Sequence, residues 1–375
     1  MIDLRVIRDG EPVPGVKGFS WSETNHFNPD TFQATFAMDP EHGVEWRDGS
    51  DLPLILELQI NDGRGWHSLG VGVVDTVEVD PLARVAQVSG RDLAALLQEG
   101  GEPPKTYQNM TATQIVLAVA EAHGLLANVT EIGTTAGARA ASDGRRDRDA
   151  YEGRFFRETH TREVLPQNVG AANDWDLLVR LAQVHQFSLY MAGRTIHFHP
   201  LPKLTDKPIV RRWRRGTVPE ADMIGLRQTR RMQMARAVTV NVSSFNSATG
   251  QTVKATAKTT VAKSGGNVAG SVFRTKSGRP KVYDFNKPNL TKQQAQEFAD
   301  AMLADITRHE RHVKWSEPFT PEMGTRRVLR LEGTGSAFDQ VYFIETVTVS
   351  AGFEEGARLD VTATSHSAGV TFGGA

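Results

Sequence analysis

The sequence contains no cysteine among its 375 residues. This absence excludes disulfide bonds, thiol catalysis and thiolate metal sites together. The chain also lacks any apolar run near the roughly 20 residues that a membrane-spanning helix needs, so we predict no membrane-spanning segment. The formal net charge is −1, which excludes an overall positive field that recruits nucleic acid or an anionic membrane.

The residues that are present form an ordinary globular composition. Hydrophobic residues make up 39% and charged residues 23% of the chain, which is typical of a soluble protein, and the length suffices for two or three domains. The first residues, Met1 to Arg5, begin as strand-like alternation without a signal-peptide core. We therefore expect synthesis in the cytoplasm.

Residues 1–98 show mostly the period-two hydrophobicity of strands with one buried face. This alternation is clearest from Thr31 to Met38. Turn signals at Asn61-Asp62-Gly63 and at Asp80-Pro81 separate successive strands, and residues 89–97 are predicted to end the block as a short helix. The pattern predicts a compact antiparallel barrel or sandwich.

Residues 99–200 form a mixed α/β block. Thr111 and Gln114 make a capping-box pattern at the start of a predicted helix, and Gly124 is placed to end it. Residues 133–161 hold small residues and then dense alternating charge, which predicts a long surface loop because such a stretch buries little apolar surface.

The mixed block closes with a predicted helix–hairpin unit. Asn173 or Asp174 caps a helix in which Leu178, Leu181 and Ala182 share one face. Two alternating strands follow and meet at a turn. The turn is at Ala192-Gly193, and the second strand runs through His197-Phe198-His199.

Residues 201–375 return to β periodicity. Alternating valines from Val238 to Val242 lead through a turn into a second strand that begins at Gln251. One helix is predicted over residues 291–312, from a Thr291/Gln294 capping box. Further strands are predicted at 326–331, 340–349 and 358–364. The layout is a β block, a mixed block and a second β block.

Histidine pairs are the candidates for metal chemistry. His197 and His199 lie on one face of a predicted strand, at a spacing that zinc sites use, but no third ligand is evident nearby. His309 and His312 resemble a zincin helix but stand three rather than four residues apart. We interpret the first pair as solvated or packed strand histidines, and the second as the polar last turn of the helix.

The most basic segment is Arg211-Arg212-Trp213-Arg214-Arg215, followed by arginines at 227, 230, 231 and 236. Arginines beside an aromatic residue can contact phosphate or stack on bases, which makes nucleic-acid binding one hypothesis. In an alternating strand, however, a charge run usually forms a solvated face or the rim of an interface. We favour this second interpretation.

Other short motifs do not indicate a reaction. Gly70-Val71-Gly72 and Gly333-Thr334-Gly335 lack the helix start and the lysine of a phosphate loop and are interpreted as turn or strand glycines. Glu121 and His123 lack a third group. We therefore predict no catalytic residue, no cofactor, no metal ligand and no enzymatic activity.

Four segments of the chain resemble a known family. The first is 72–78 together with Val88-Ser89-Gly90-Arg91-Asp92-Leu93, and the second is 110–116. The third is the helix–hairpin unit that begins at Asn173, and the fourth is 237–242 together with 251–254. In their residues and in their order along the chain, these segments resemble the late control protein D family, which comprises baseplate hub proteins of contractile phage tails. The hub region of the type VI secretion spike carries a similar helix–hairpin unit.

The resemblance implies a mainly β fold with an α/β insert, in which two tail-tube-like antiparallel β-barrels are joined by the mixed helix–hairpin domain. It implies a homotrimeric ring that adapts a hexameric tail tube to a trimeric spike. No long β-helical needle follows Ala375, so we expect the spike to be a separate chain. Further partners would be other baseplate or tape-measure proteins, with transient contact to DNA. The location would be the virion baseplate after synthesis in the host cytoplasm.

Two alternatives of other classes remain open. One is a tail-associated wall-degrading hydrolase that uses His197 and His199. The other is a nucleic-acid-binding β-barrel protein that uses residues 211–236.

Overall fold

The computed structural model describes residues 2–38, 53–99, 110–131, 173–185, 187–202, 206–214, 220–231, 238–246, 250–258, 281–287, 290, 292–308, 311–336 and 338–365. The chain divides into two compact units. The first comprises residues 1–202, 318–324 and 346–359, and the second comprises 203–317, 325–345 and 360–375. The predicted surface loop at 133–161 lies outside the described residues.

The first unit begins with an antiparallel sheet. Its strands are β1 (Asp3–Arg8), β2 (Glu11–Pro12), β3 (Val16–Thr24), β4 (Thr31–Ala37), β5 (Ile55–Asn61), β6 (Trp66–Asp80) and β7 (Val85–Asp92). They pair in the order β2-β1-β5-β6-β7-β4-β3. The far edge of β3 pairs with residues Thr346–Gly352 of the later strand β19 (Val341–Gly352).

Period-two burial places one face of this sheet in a single core. In β4, Phe32, Ala34 and Phe36 are buried while the residues between them face outward, as the sequence predicts. The same core contains residues from β1, β3, β5, β7 and β19. Because β1 also lies against β3, which stands five places away in the strand order, the sheet curls around this core.

The turns between these strands form where the sequence predicts them. Asn61 Oδ1 accepts a hydrogen bond from the backbone N–H of Gly63 at 2.9 Å. Asp80 Oδ1 accepts from the N–H groups of Leu82 and Ala83, both at 2.9 Å, and so closes the β6–β7 corner. The helix predicted over 89–97 begins later, because β7 continues to Asp92 and helix α1 is Ala94–Gln98.

A second layer of the first unit contains α2 (Ala112–Ala122), β8 (Leu126–Val129), α3 (Asp174–His185), β9 (Phe187–Ala192) and β10 (Thr195–Pro200). The three strands pair in the order β8-β10-β9. The Thr111/Gln114 capping box is confirmed, with both reciprocal hydrogen bonds present. Gly124 has φ +64°, a left-handed conformation that suits glycine at the end of a helix.

The predicted helix–hairpin unit is confirmed. Asn173 Oδ1 accepts from the N–H of Asp176 at 2.9 Å, so Asn173 rather than Asp174 caps α3. Leu178, Leu181 and Ala182 are buried on one face of the helix. They share a core with Ile196 and Phe198 of β10, so the helix packs on the hairpin.

The second unit contains β11 (Ile209–Arg214), β12 (Glu220–Ala221), β13 (Ile224–Arg230), β17 (Arg311–Pro318), β18 (Val328–Glu332) and β20 (Gly356–Ser365), together with the first residues of β19. Strand β11 pairs with β12 and, in parallel, with β18. Strand β17 pairs with β13 and β20. The predicted strands at 326–331, 340–349 and 358–364 are confirmed with small changes in their bounds.

A separate three-stranded sheet in the second unit has the order β15-β14-β16, with β14 (Val238–Asn246), β15 (Gln251–Lys258) and β16 (Lys281–Asn286). Its valines Val238, Val240 and Val242 pack against helix α4 (Lys292–Arg308). Residues 237–242 with 251–254, which carry part of the family resemblance, overlap β14 and β15. Strands β14 and β15 form an antiparallel ladder with each other, and β14 also pairs in parallel with β16.

Helix α4 is shorter than predicted. It ends at Arg308 rather than at residue 312, and Arg311 and His312 already belong to β17. The interpretation of His312 as part of a polar helix end is therefore wrong. The helical periodicity stops where alternating burial begins, with Arg311, Val313 and Trp315 facing inward.

The prediction of a mainly β fold with an α/β insert is confirmed. Closure of the sheets into two barrels stays a prediction, as do the domain boundaries near 98 and 200. The two units do not follow the order of the chain throughout. Residues 318–324 and 346–359, which the sequence assigns to the third block, cluster with the first unit.

Candidate functional site

The Gly-Arg-Asp-Leu motif serves a structural role at the end of β7. Arg91 donates to Asp75 through Nε at 2.7 Å and through Nη2 at 2.8 Å, and Nη2 also donates to Glu99. The hydrogen bonds to Asp75 raise the pKa of Arg91 further above its usual value. Asp92 Oδ1 accepts from the N–H of Ala94 at 3.0 Å. These contacts fix the transition from β7 to α1.

His123 has a carboxylate partner that sequence reasoning missed. Its Nε2 lies 2.8 Å from Asp174 Oδ2 at the start of α3. The following residue, Trp175, donates through Nε1 to the backbone carbonyl of Phe27 at 2.8 Å. No local signal predicts the His123–Asp174 pair, because the two residues are separated by 51 positions. The pair ties the end of α2 to the start of α3.

His197 and His199 lie on the same face of β10, as predicted. Nδ1 of His197 is 3.4 Å from Nε2 of His199. The ring of Tyr190 on β9 stacks on His197, with centroids 4.7 Å apart and an interplanar angle of 5°. His199 Nδ1 is 2.8 Å from Thr130 Oγ1. Both imidazoles are therefore held by neighbours and remain partly exposed.

The basic segment does not form one solvated face. Arg211 is buried and donates to both oxygens of Glu317, from Nε and from Nη2, at 2.8 Å each. Its interpretation as a solvated arginine is therefore wrong, because a carboxylate from β17 compensates the charge. Arg212, in contrast, is exposed and lies 3.4 Å from Glu332. Arg215 and Arg236 lie outside the described residues.

A group of basic side chains lies where β13 pairs with β17, and we call it the basic face. It consists of Arg227, Arg231, His312 and Lys314. Arg227 stands directly opposite Lys314 in the register, and both are exposed. Burial lowers the pKa of His312, and the charges of Arg231 and Lys314 lower it further, while Glu345 opposes them. Like charges opposite each other on a strand pair are unfavourable, so this arrangement favours an anionic partner.

The two glycine motifs are strand and turn glycines, as predicted. A Cβ at Gly70 would overlap the indole ring of Trp21, so this position lets the aromatic ring pack against β6. In the other motif, Asp339 accepts from the N–H groups of Thr334 and Gly335 at 2.9 and 3.0 Å. The chain's own carboxylate thus occupies donors that a phosphate would need.

Within the described residues, no group of three or more His, Asp or Glu side chains is arranged to hold a metal ion. Of the helices in the same part of the chain, none combines the length and apolar character of a membrane crossing. The exposed surface instead offers strand edges and the basic face.

Comparison with known proteins finds likeness in structure rather than in sequence. No protein-family model matches the chain, and no curated protein matches it. A tail protein from Neisseria meningitidis MC58 superposes with a TM-score of 0.68 at 12% identity, covering 98% of this chain and 97% of that chain. The 43 kDa tail protein of prophage MuSo2 from Shewanella oneidensis gives a TM-score of 0.64 at 12% identity, covering 97% and 98%. The chain has the fold of phage tail proteins.

The same fold extends to a secretion system. The E. coli c3393 protein is described as a component of the type VI secretion system with structural similarity to T4 bacteriophage tail proteins gp27 and gp5. It superposes with a TM-score of 0.51 at 14% identity, covering 99% of this chain and 79% of that chain. These neighbours agree in fold with the family that the sequence resembles.

Proposed function

We propose that this protein is the structural hub of a phage tail baseplate, a homotrimeric ring that adapts a hexameric tail tube to a trimeric spike. The observation that carries the proposal is the extent of the likeness to tail proteins. In the comparison with the prophage MuSo2 tail protein, it covers 97% of this chain and 98% of the other. The shared feature is therefore the whole architecture rather than one common module.

Exposed strand edges give the ring a physical basis. Among the described strands, β13 pairs only with β17, and most of its side chains are exposed. Ile224 on this strand is 66% exposed. Such an edge promotes association unless another chain covers it, and a ring of identical subunits covers each edge with a neighbour.

The partners follow from this role. They are two further copies of the chain, the tail tube protein, a spike protein, and other baseplate or tape-measure proteins. The assembled protein would be part of the virion after synthesis in the host cytoplasm. It would bind its partners without turning over a substrate.

The mass of the purified protein in solution, measured by light scattering alone and after mixing with the spike protein, tests this proposal. We expect a trimer, or a monomer that becomes a trimer when the spike is added. A protein that stays monomeric and does not bind the spike would contradict the hub function.

A pair of surface variants locates the contact. Ile224→Lys places a charge on the edge strand, whereas Leu82→Lys changes a residue that is 96% exposed at the β6–β7 corner. We expect only the first to weaken trimer formation. A trimer unaffected by Ile224→Lys would place the subunit contact away from β13.

A second function is favoured by the basic face. Arg227 and Lys314 stand opposite each other and present positive charge on an exposed strand pair. Phosphate groups would relieve this repulsion, so contact with DNA is the second proposal. The net charge of −1 restricts such contact to this local surface.

A further inference from the structure

The outer face of the sheet β8-β10-β9 carries two imidazoles that point toward each other. His197 and His199 are separated by one residue on β10, and Nδ1 of the first lies 3.4 Å from Nε2 of the second. Both side chains are partly exposed.

This separation matches the geometry of a shared metal ion. In tetrahedral sites a zinc–nitrogen bond is about 2.0–2.1 Å long, which places two histidine nitrogens on one ion roughly 3.3–3.4 Å apart. The imidazoles of β10 would therefore need little movement to bind the same ion.

Neighbouring residues hold both rings in this orientation. Thr130 Oγ1 lies 2.8 Å from His199 Nδ1. When Nδ1–H of His199 donates to this hydroxyl, the lone pair of Nε2 is directed to the space facing His197. Tyr190 stacks on the His197 ring at a centroid distance of 4.7 Å and restricts its rotation. A ligand pair whose rings are already oriented loses less entropy on binding.

We propose that His197 and His199 form a binding site for one divalent transition-metal ion of the kind that prefers imidazole, namely Cu²⁺, Zn²⁺ or Ni²⁺. His197 binds through Nδ1 and His199 through Nε2, and water completes the coordination. Cu²⁺ binds most tightly because it leads the stability order of divalent ions with nitrogen ligands. Mg²⁺ and Ca²⁺, which prefer oxygen ligands, do not compete.

Isothermal titration calorimetry tests the site. The untagged, metal-free full chain is titrated with CuCl₂ and, separately, with ZnCl₂. We expect one tight equivalent of metal, and its loss in His197→Gln and in His199→Gln. Thr130→Val leaves both ligands in place but removes the orienting hydroxyl, so the affinity should fall about 10- to 100-fold. Electron paramagnetic resonance of the Cu²⁺ form should show two nitrogen ligands.

His26→Gln is the matched control, because His26 is an exposed histidine of the first unit outside this sheet. It should bind the metal as the unchanged protein does, and circular dichroism should show that each variant is folded. Absence of a tight equivalent would overturn the proposal. So would binding that persists in the His197→Gln/His199→Gln double variant.

Discussion

Arg211 on β11 and Glu317 on β17 form a buried bidentate ion pair, with both N–O distances at 2.8 Å. Trp315 Nε1 donates to the same carboxylate at 2.8 Å, so Glu317 accepts hydrogen bonds from both Arg211 and Trp315. In the described sheet, β11 pairs with β12 and β18, whereas β17 pairs with β13 and β20. The ion pair therefore joins two strands that share no backbone ladder.

Removing one partner of this pair should strongly destabilise the second unit. In Arg211→Met, the buried carboxylate of Glu317 loses its compensating charge, and we expect a loss of about 3–5 kcal/mol in the free energy of unfolding. Urea denaturation followed by tryptophan fluorescence measures the effect.

A double variant separates the buried charge from the change in packing. Arg211→Met/Glu317→Gln removes both charges and keeps an acceptor for the Trp315 indole, so most of the stability should return. Arg212→Met, which removes the exposed pair with Glu332, should cost less than about 1 kcal/mol. Equal losses in Arg211→Met and Arg212→Met would show that the buried pair has no special role.

Gly70→Ala should destabilise the core of the first unit. The added methyl group would overlap the Trp21 ring, which is buried and stacks on Phe32 with centroids 5.9 Å apart. Overpacking of this kind costs about 1–3 kcal/mol. Chemical denaturation gives the loss, and near-ultraviolet circular dichroism reports the displaced tryptophan.

Gly65→Ala is the control for this change, because a Cβ at Gly65 meets no atom within 4 Å. It should leave the stability close to that of the unchanged protein. If both alanine variants lose the same stability, backbone entropy rather than the Trp21 contact explains the need for glycine.

The stability of the second unit should fall at mildly acidic pH because of His312. Burial lowers its pKa below the usual value of 6.5, and Arg231 and Lys314 act in the same direction. Below about pH 6.5 the unfolded chain therefore takes up a proton that the folded chain resists. Folding is thus weakened as the pH falls through this window toward the folded pKa.

The comparison with His312→Gln isolates this contribution from the other histidines. The free energy of unfolding should be measured for both proteins at about pH 7.5 and about pH 5. We expect a smaller decrease in the variant. An identical decrease in both proteins would mean that the folded pKa of His312 is not lowered.

The basic face should bind DNA in a salt-sensitive way. Arg227→Gln and Lys314→Gln should each weaken binding to a short duplex, measured by fluorescence anisotropy, and reduce the slope of log affinity against log salt by about 1. Each change also removes a like-charge pair, so stability should stay constant or rise slightly.

Arg212→Gln provides the matched control for DNA binding, because Arg212 is exposed but lies outside the basic face. Its affinity should be nearly unchanged. Equal effects of all three substitutions would indicate that DNA is attracted by overall charge. Absence of measurable DNA binding at low salt would contradict the proposal that the basic face contacts DNA.

Local elements could be predicted from the sequence because nearby residues determine them. The Thr111/Gln114 capping box needs contacts that span only three positions, and the alternation of Phe32, Ala34 and Phe36 follows from the geometry of one strand. The end of α4 was misplaced because the amphipathic helix runs directly into an alternating strand, and both patterns accommodate His312.

Local residue patterns were enough to predict the period-two strands, the turns at Asn61 and Asp80 and the Thr111/Gln114 capping box. Which of the described charges are buried, which lie together and which described strands keep an unpaired edge depends on how distant segments pack. Arg211 and Glu317 are 106 positions apart, and the register of β13 with β17 places Arg227 opposite Lys314. Such pairings depend on which distant strands become neighbours, and the alternation within one strand sets its buried face but does not identify its partner strand.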